Sequence, residues 1–471
     1  MVERLRVTFF ALVHCVLAHG VLAHCVLAHC VLALSVLALG VGALGCDGDG
    51  GMDGGVPPMD GATSDAAVED ARIDDARVGD AETPDAEAPD TGVPIDADPV
   101  ESFGAVGDGT TDDTAAIQAA FDSGRNISFE AGRTYRISAQ IDVDQDGDQI
   151  VVGNGATVTT TTVLATAFEV DKASGLLTVH DLVFDGNRLA ARGWYFLSAF
   201  ILERCRVFDV YNDSGAAIAY RLDVDDAWSN ADFRDCSCDN IVSEGNGEIG
   251  DSIGASRCIS LYWDYDASPV TVRIDGCELG NVWGDDGDVI DISQRNNSYD
   301  SDARLEVRDT TISNAGRRLI KNRSSNTYWE NVTFNSPQAD NPNLTGTPSA
   351  GMIAISRFTA DEDTNRHIFN RCTFNGTGFE NRVIIVWVDD ITISECTFNG
   401  ADFAIYQRGG GVCFQNNTVD SEFNIYTYGP GPTYTGPIVE TGTMPPGDYV
   451  NLPGAPPQGS FECPRAIDEG T

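Results

Sequence analysis

Arg371-Cys372-Thr373-Phe374-Asn375-Gly376 and Glu395-Cys396-Thr397-Phe398-Asn399-Gly400 are the same shape written twice: a small residue, a short alternating stretch, then an Asn-Gly turn. The shape extends over much of the chain. With Cys372 as anchor, equivalents fall at Leu182, Cys205, Cys236, Cys277, Thr310, Val332, Cys396 and Asn417, with spacings of 23, 31, 41, 33, 22, 40, 24 and 21. The shortest cluster near 22, and the longer ones read as 22 plus an insertion. One coil per period, with surplus residues in loops, describes a solenoid.

The period-2 alternation makes it a β solenoid. In Ile391-Thr392-Ile393-Ser394 and Val270-Thr271-Val272-Arg273-Ile274, apolar side chains take every second position, as a strand with one buried face requires. Three short strands and their turns use roughly 22 residues, and stacked strands sit about 4.8 Å apart. Nine anchors plus two earlier coils predict an all-β parallel β-helix of roughly 10–11 coils, on the order of 50 Å long. Gly 49 and the pairs Asn375-Gly376, Asn399-Gly400 and Asp185-Gly186 suit strands joined by tight turns.

Four segments follow from composition. Residues 1–46 open with Arg4 and Arg6, run apolar from Val7, and end Ala43-Leu44-Gly45-Cys46, the pattern of an export signal. Within it Val-Leu-Ala recurs every five residues, which rotates the accompanying His and Cys around a helix and excludes a metal-binding face. Residues 47–100 form an acidic Asp/Ala/Gly/Pro tether with 16 acidic residues against Arg72 and Arg77, too polar to fold. Residues 101–420 are the β-helix, and residues 421–471 a Pro/Gly-rich tail expected to pack on the last coils.

The whole chain carries −43; removing −14 for the tether and +1 for the leader leaves −30 for residues 101–471. That field excludes nucleic acid and anionic lipid surfaces as partners and restricts membrane contact to the N-terminal anchor. An anionic polysaccharide needs a local cationic patch or bridging Ca²⁺.

Nine cysteines follow Cys46. Cys205, Cys236 and Cys277 should stack in consecutive coils as buried thiols packing as small apolar groups. Cys413 and Cys463 are candidates for a staple between the tail and the last coil.

Residues 103–120, FGAVGDGTTDDTAAIQAA, followed by Ile127-Ser128-Phe129-Glu130-Ala131-Gly132-Arg133-Thr134-Tyr135 and Gly153-Asn154-Gly155-Ala156, resemble the start of the pectate lyase superfamily, which includes polygalacturonases, rhamnogalacturonases and phage tailspikes. The resemblance implies a right-handed parallel β-helix, in enzymes and non-enzymes alike. Thr111 is placed to cap a helix with Asp112 and Asp113 in its first turn and Ile117, Ala120 and Phe121 on its apolar face. Such a helix plugs the open end, where bare strand edges invite aggregation. The leader resembles a bacterial lipoprotein signal peptide, with lipidation at Cys46; an uncleaved membrane span is the alternative reading of the same run.

The candidate site lies in two neighbouring coils, DDGDVIDIS (residues 285–293) and RRLIKNRS (residues 317–324). If Ile290 and Ile292 point inward and Ile320 stacks on Ile290, then Lys321 lies beside Asp291 and Arg323 beside Ser293. The next coil offers Ser356 and Arg357. Lys172 and Lys321 are the only lysines, so Arg317, Arg318, Lys321 and Arg323 form an unusual cluster in an acidic rod. Insertions at residues 242–255, 293–303 and 336–350 fall in the adjoining coils, where they can wall a groove.

Gly284-Asp285-Asp286 is similar to the paired-aspartate motif of polygalacturonases, and Arg318 to Lys321 to their Arg-Ile-Lys motif; their Gly-His-Gly motif has no counterpart. Asp286, Asp288 and Asp291 offer the two carboxylates that inverting hydrolysis needs. Elimination is the companion reading. Lys321 or Arg323 would be the base, and Asp286 and Asp288 could hold Ca²⁺ beside a uronate carboxylate. IKNRSSNTY (residues 320–328) is similar to the alginate lyase and chondroitinase β-helix group, which implies a base at Arg323. Tyr262, Trp387 and Tyr406, with Arg318 and Arg357, are candidate substrate-binding groups. Asp142, Asp144 and Asp146 match the first half of a Ca²⁺ loop, although Gly153 stands where its bidentate Glu would be. His180 and His367 read as ordinary surface or core residues. The expected function is an exported protein acting on a uronic-acid polysaccharide by elimination or hydrolysis; a non-catalytic surface protein binding a glycan or partner is the alternative.

Overall fold

The computed structural model describes residues 95–441 except 225–227, 229, 245–253, 264–269, 285, 295–303, 336–351, 356–365, 377–383, 387–390, 401–402, 408–411, 420–422 and 428–438. The leader, Cys46, Cys463 and most of the tether and tail lie outside the described residues. Each coil lays one strand into each of three sheets, and every neighbouring pair is parallel. Coil after coil this builds sheet I with 13 strands, sheet II with 12 and sheet III with 11. This is the expected right-handed parallel β-helix. It has about one coil more than the anchors suggested, because pairing runs on to Val439–Thr441.

Alternation turns directly into a core. Leu177–His180 and Arg304–Arg308 bury every second side chain. The repeated Thr-Phe-Asn triplet shows the stacking most plainly. Phe334, Phe374 and Phe398 stack with ring centroids 4.9 and 4.6 Å apart. On the opposite side of the same strands Asn375 Nδ2 donates to Asn335 Oδ1 at 2.8 Å and Asn399 Nδ2 to Asn375 Oδ1 at 3.0 Å. Like side chains one rung apart serve each other across the parallel ladder.

The anchor column explains the repeat. The residue before each of the nine anchors (Asp181, Arg204, Asp235, Gly276, Asp309, Asn331, Arg371, Glu395, Asn416) has φ between 48° and 67°. That left-handed turn swings the chain from sheet I into sheet II, and Asp, Asn and Gly tolerate it best. The residue after each anchor donates its N–H to the previous anchor's carbonyl, as Ser237 does to Cys205 and Thr397 to Cys372. Anchor side chains do more than fill space. Cys236 N–H donates to Cys277 Sγ, Cys277 N–H to Thr310 Oγ1, Cys372 N–H to Cys396 Sγ and Cys396 N–H to Asn417 Oδ1. At these four anchors the side chain supplies an acceptor atom, which Cys, Thr and Asn share, whereas Leu182 and Val332 only fill the core. The stacked, buried Cys205, Cys236 and Cys277 are free thiols, as are Cys372 and Cys396.

Two details differ from expectation. Cys238 and Cys258 form a disulfide, Cα to Cα 5.8 Å, across the interior between a sheet II strand (Ser237–Ser243) and a sheet III strand (Ala255–Trp263). Facing positions in different sheets cannot be read from a linear spacing. Helix α1 (Thr114–Asp122) begins two residues later than expected, with Asp113 rather than Thr111 at the cap position. Thr111 lies within the strand Asp108–Asp112 instead, its hydroxyl turned to Asp108, while buried Asp113 accepts N–H groups from Val106 and Gly107. The apolar face of Ile117, Ala120 and Phe121 is buried as predicted, with Phe121 edge-on to Phe168 at 6.4 Å.

Candidate functional site

Three consecutive strands of sheet III carry the site: Ala255–Trp263, Asp286–Gln294 and Arg318–Arg323. Their register stacks Ile259, Ile290 and Ile320 in the core and sets Asp291 beside Lys321 and Ser293 beside Arg323. The two core residues in succession, Cys258-Ile259, Val289-Ile290 and Leu319-Ile320, reset the alternation at the same place in all three strands. Arg257, Asp288 and Arg318 before the reset, and Ser260, Asp291 and Lys321 after it, therefore share the outer side. Just upstream the backbones run close together. A Cβ on Gly316 would lie 2.4 Å from the Gly284 carbonyl oxygen, so the turn that delivers Arg317 and Arg318 requires glycine.

The outcome is a buried ion-pair network centred on a residue the sequence reading did not single out. Arg257 reaches Asp286 Oδ2 at 2.8 Å, Asp288 Oδ2 at 3.1 Å and Asp291 Oδ2 at 3.2 Å. Arg318 bonds Asp288 Oδ1 at 2.6 Å and Asp286 Oδ1 at 2.5 Å, and Arg317 meets Asp286 Oδ1 at 2.8 Å. Lys321 Nζ donates to Asp286 Oδ2 at 3.2 Å and, at 17% side-chain exposure, is more open than these three aspartates and arginines. Arg257 was legible in principle, since laying ASRCISLYW over DGDVIDISQ puts Arg257 on Asp288.

Electrostatics sort the groups. Burial alone would raise the Asp286 carboxyl, but Arg257, Arg318, Lys321 and Arg317 outweigh it and hold the group well below the ordinary carboxylate range. Burial likewise opposes ionisation of Asp291 and is overcome by Arg257, Lys321 and Arg323. Lys321 moves the other way. Burial pushes its ammonium down, with Arg318 and Arg257 adding to the push against the pull of Asp291 and Asp288.

The other candidates lie apart or outside. Tyr262 is on the outer side one rung before Ser293, with the Arg221 guanidinium 3.7 Å from its ring centre. Arg318 is a network member paired with Asp286 and Asp288. Ser356, Arg357 and Trp387 lie outside the described residues. Tyr406 is described only by backbone, in the column Lys321, Ala354, Ile385, Tyr406. Among the described residues no three potential ligands converge as a metal group. Lys172 Nζ bonds the Gln145 carbonyl within the Asp144, Asp146 and Asp148 loop, and its charge serves those carboxylates. Asp286 and Asp288 are taken by guanidinium groups, a setting that does not fit Ca²⁺. His180 pairs with Glu203 at 3.2 Å. His367 is fully buried, its Nδ1 bonded to Thr327 Oγ1 at 2.8 Å.

No family model and no curated protein matches the chain. Solved structures with a similar course include ORF18 of Geobacillus virus E2, at 16% identity, 71% coverage of this chain and TM-score 0.47; the chain spans only 62% of that protein. PfbA, a surface adhesin of Streptococcus pneumoniae, matches at 12% identity over 70% of this chain and 91% of its own, TM-score 0.49. The catalytic unit of a GH87 alpha-1,3-glucanase from Streptomyces thermodiastaticus matches at 14% identity over 77% and 70%, TM-score 0.38. The fold is read from the sheets themselves, and these likenesses carry no argument about activity.

Proposed function

We propose that the protein is an exported β-helix that engages a uronic-acid polysaccharide on the outer side of sheet III and cleaves it by elimination, with Lys321 as base. The carrying observation is a charge surplus. Arg257, Arg317, Arg318 and Arg323 bring four positive charges to the three carboxylates of Asp286, Asp288 and Asp291 before Lys321 is counted, within a segment of net −30. A buried surplus cation attracts an anion, and a uronate carboxylate meets that need.

Elimination fits the proton inventory better than hydrolysis. Hydrolysis needs a carboxyl kept protonated as general acid, whereas Asp286 and Asp291 are both held ionised. The Lys321 amine, biased toward its neutral form, can accept the proton on the carbon next to the uronate carboxylate. The electron pair then forms the double bond as the C–O bond one carbon further breaks, the departing oxygen takes a proton from water, and the Lys321 ammonium returns its proton to the hydroxide so formed. Arg323, one residue pair along the strand, is charged throughout and serves to neutralise the carboxylate.

A non-catalytic binding role is the second reading, favoured by the hydrogen bond that already ties Lys321 Nζ to Asp286. Export is supported by the leader and by the Cys238–Cys258 disulfide, a bond that persists in oxidising compartments. The test is incubation of the full chain with uronic-acid and neutral polysaccharides, with and without Ca²⁺, following ultraviolet absorbance of unsaturated ends together with reducing ends. Both rising means elimination; reducing ends alone means hydrolysis; binding without either means the second reading.

A further inference from the structure

The ion-pair network leaves out two atoms of the strand Asp286–Gln294. Asp291 Oδ1 and Ser293 Oγ are buried and make no hydrogen bond, although Asp291 Oδ2 receives Arg257 Nε. Asp291 is 4% exposed and Ser293 0%. They hold successive outward positions, about 7 Å apart along the strand. Register places Ser260 and Tyr262 on one side of them and Lys321 and Arg323 on the other.

Buried polar atoms normally find partners, and each one left without costs the folded state free energy. Two together, beside the most open member of the network, point to a partner that arrives from outside. The chemistry of that partner is constrained. Asp291 is held ionised by Arg257, Lys321 and Arg323, and an ionised carboxylate only accepts. Phosphate, sulfate or carboxylate oxygens would meet it with like charge. A hydroxyl group can donate to Asp291 Oδ1 and either donate to or accept from Ser293 Oγ. One rung away the preference inverts, because Arg323 favours an anion.

We infer that these residues form a two-part subsite: Arg323, beside the base Lys321, takes a uronate carboxylate, and Asp291 with Ser293 take free hydroxyl groups of the same or the adjoining glycosyl unit. The inference rests on the functional reading above and narrows it to uronans whose hydroxyl groups at this unit are unsubstituted. Asp291 and Ser293 act as specificity determinants that touch substrate away from the bond being broken.

The experiment compares binding of the full chain to polygalacturonate and alginate, each in native and chemically O-acetylated form, by titration calorimetry. The wild type should prefer the native form by about tenfold, the scale of one hydrogen bond to a charged group. Ser293→Ala should weaken native-form binding about tenfold while leaving the thermal midpoint unchanged or higher, because an unpaired buried hydroxyl has been removed. Asp291→Asn, which can donate as well as accept, should erase the preference between the forms. Equal binding of both forms by the wild type, or wild-type affinity in Ser293→Ala, overturns the subsite and leaves the functional reading standing. A Ser293→Ala protein that loses midpoint and affinity together marks the hydroxyl as structural, satisfied by water, and also overturns it. Failure to bind either uronan in any form removes both the subsite and the reading it rests on.

Discussion

Arg257→Gln is the most informative perturbation of the network. The guanidinium touches three aspartates and is itself 4% exposed, so its loss leaves three buried carboxylates to Arg317, Arg318, Lys321 and Arg323. Removing one member of a buried charge cluster costs about 3 to 5 kcal/mol, because the remaining charges lose compensation they cannot recover from water. The penalty must depend on pH with a definite sign. In the wild type Asp286 and Asp291 titrate below their unfolded value of 3.8, so their contribution is present above that value and is lost as pH falls further. Without Arg257 desolvation regains weight and both carboxyls move up, so protonation begins to relieve the variant as pH drops. Urea midpoints of wild type and Arg257→Gln should therefore differ most near neutrality and converge below about pH 4. A difference below about 1 kcal/mol, or one that is flat with pH, refutes the claim that this arginine compensates buried carboxylates.

Three further outcomes follow from the same geometry. His367 is pushed down to about 3 by burial from an ordinary 6.5, so stability is full above 6.5 and falls as pH drops toward 3. His367→Gln should flatten that limb by as much as about 5 kcal/mol in pH-dependent denaturation; an unchanged limb contradicts a neutral core histidine. Replacing Cys238 and Cys258 together by Ala frees a loop of sequence separation 20 and should cost about 3 kcal/mol by the chain-entropy estimate, read against the wild type in urea. Gly316→Ala must push the Gly284 carbonyl away, so it should lower both the thermal midpoint and polysaccharide binding; a variant normal in both shows that the turn yields.

Much of the fold was readable because a parallel β-helix writes its contacts at a fixed period. The alternation of Ile391–Ser394 and the Asn-Gly turns are local signals, and the anchor spacing carries the long-range pairing, since every rung stacks on the one before. The register of Asp291 with Lys321 followed from stacking Ile320 on Ile290. What escaped reading lay across the sheets or against local rules. The disulfide joins facing strands of one coil, and no periodicity links Cys238 to Cys258. Thr111 lost the cap position because Asp113 is drawn inward by two backbone N–H groups. Arg257 was passed over because Cys258-Ile259 break the alternation, so a strict period-2 reading gives the residues around them the wrong face. The acidic triplet at Asp142, Asp144 and Asp146 looked like a cation loop on sequence alone, and Lys172, 26 and 28 positions beyond Asp146 and Asp144, sets its charge beside those two carboxylates, a contact that no local pattern signals.

The central claim is that Lys321 sits in an anion-seeking site and takes a proton from bound uronan. The direct measurement is product formation by the full chain and by Lys321→Met on polygalacturonate and alginate, with urea midpoints taken on the same samples. The account predicts unsaturated ends from the wild type and loss of at least about a hundredfold in rate for Lys321→Met, the scale of a general base, with a urea midpoint closer to the wild type than that of Arg257→Gln, because Lys321 pairs with one aspartate where Arg257 pairs with three. Equal rates for the two proteins contradict the assignment of the base, and a wild type that binds uronan yet yields no unsaturated ends contradicts elimination itself.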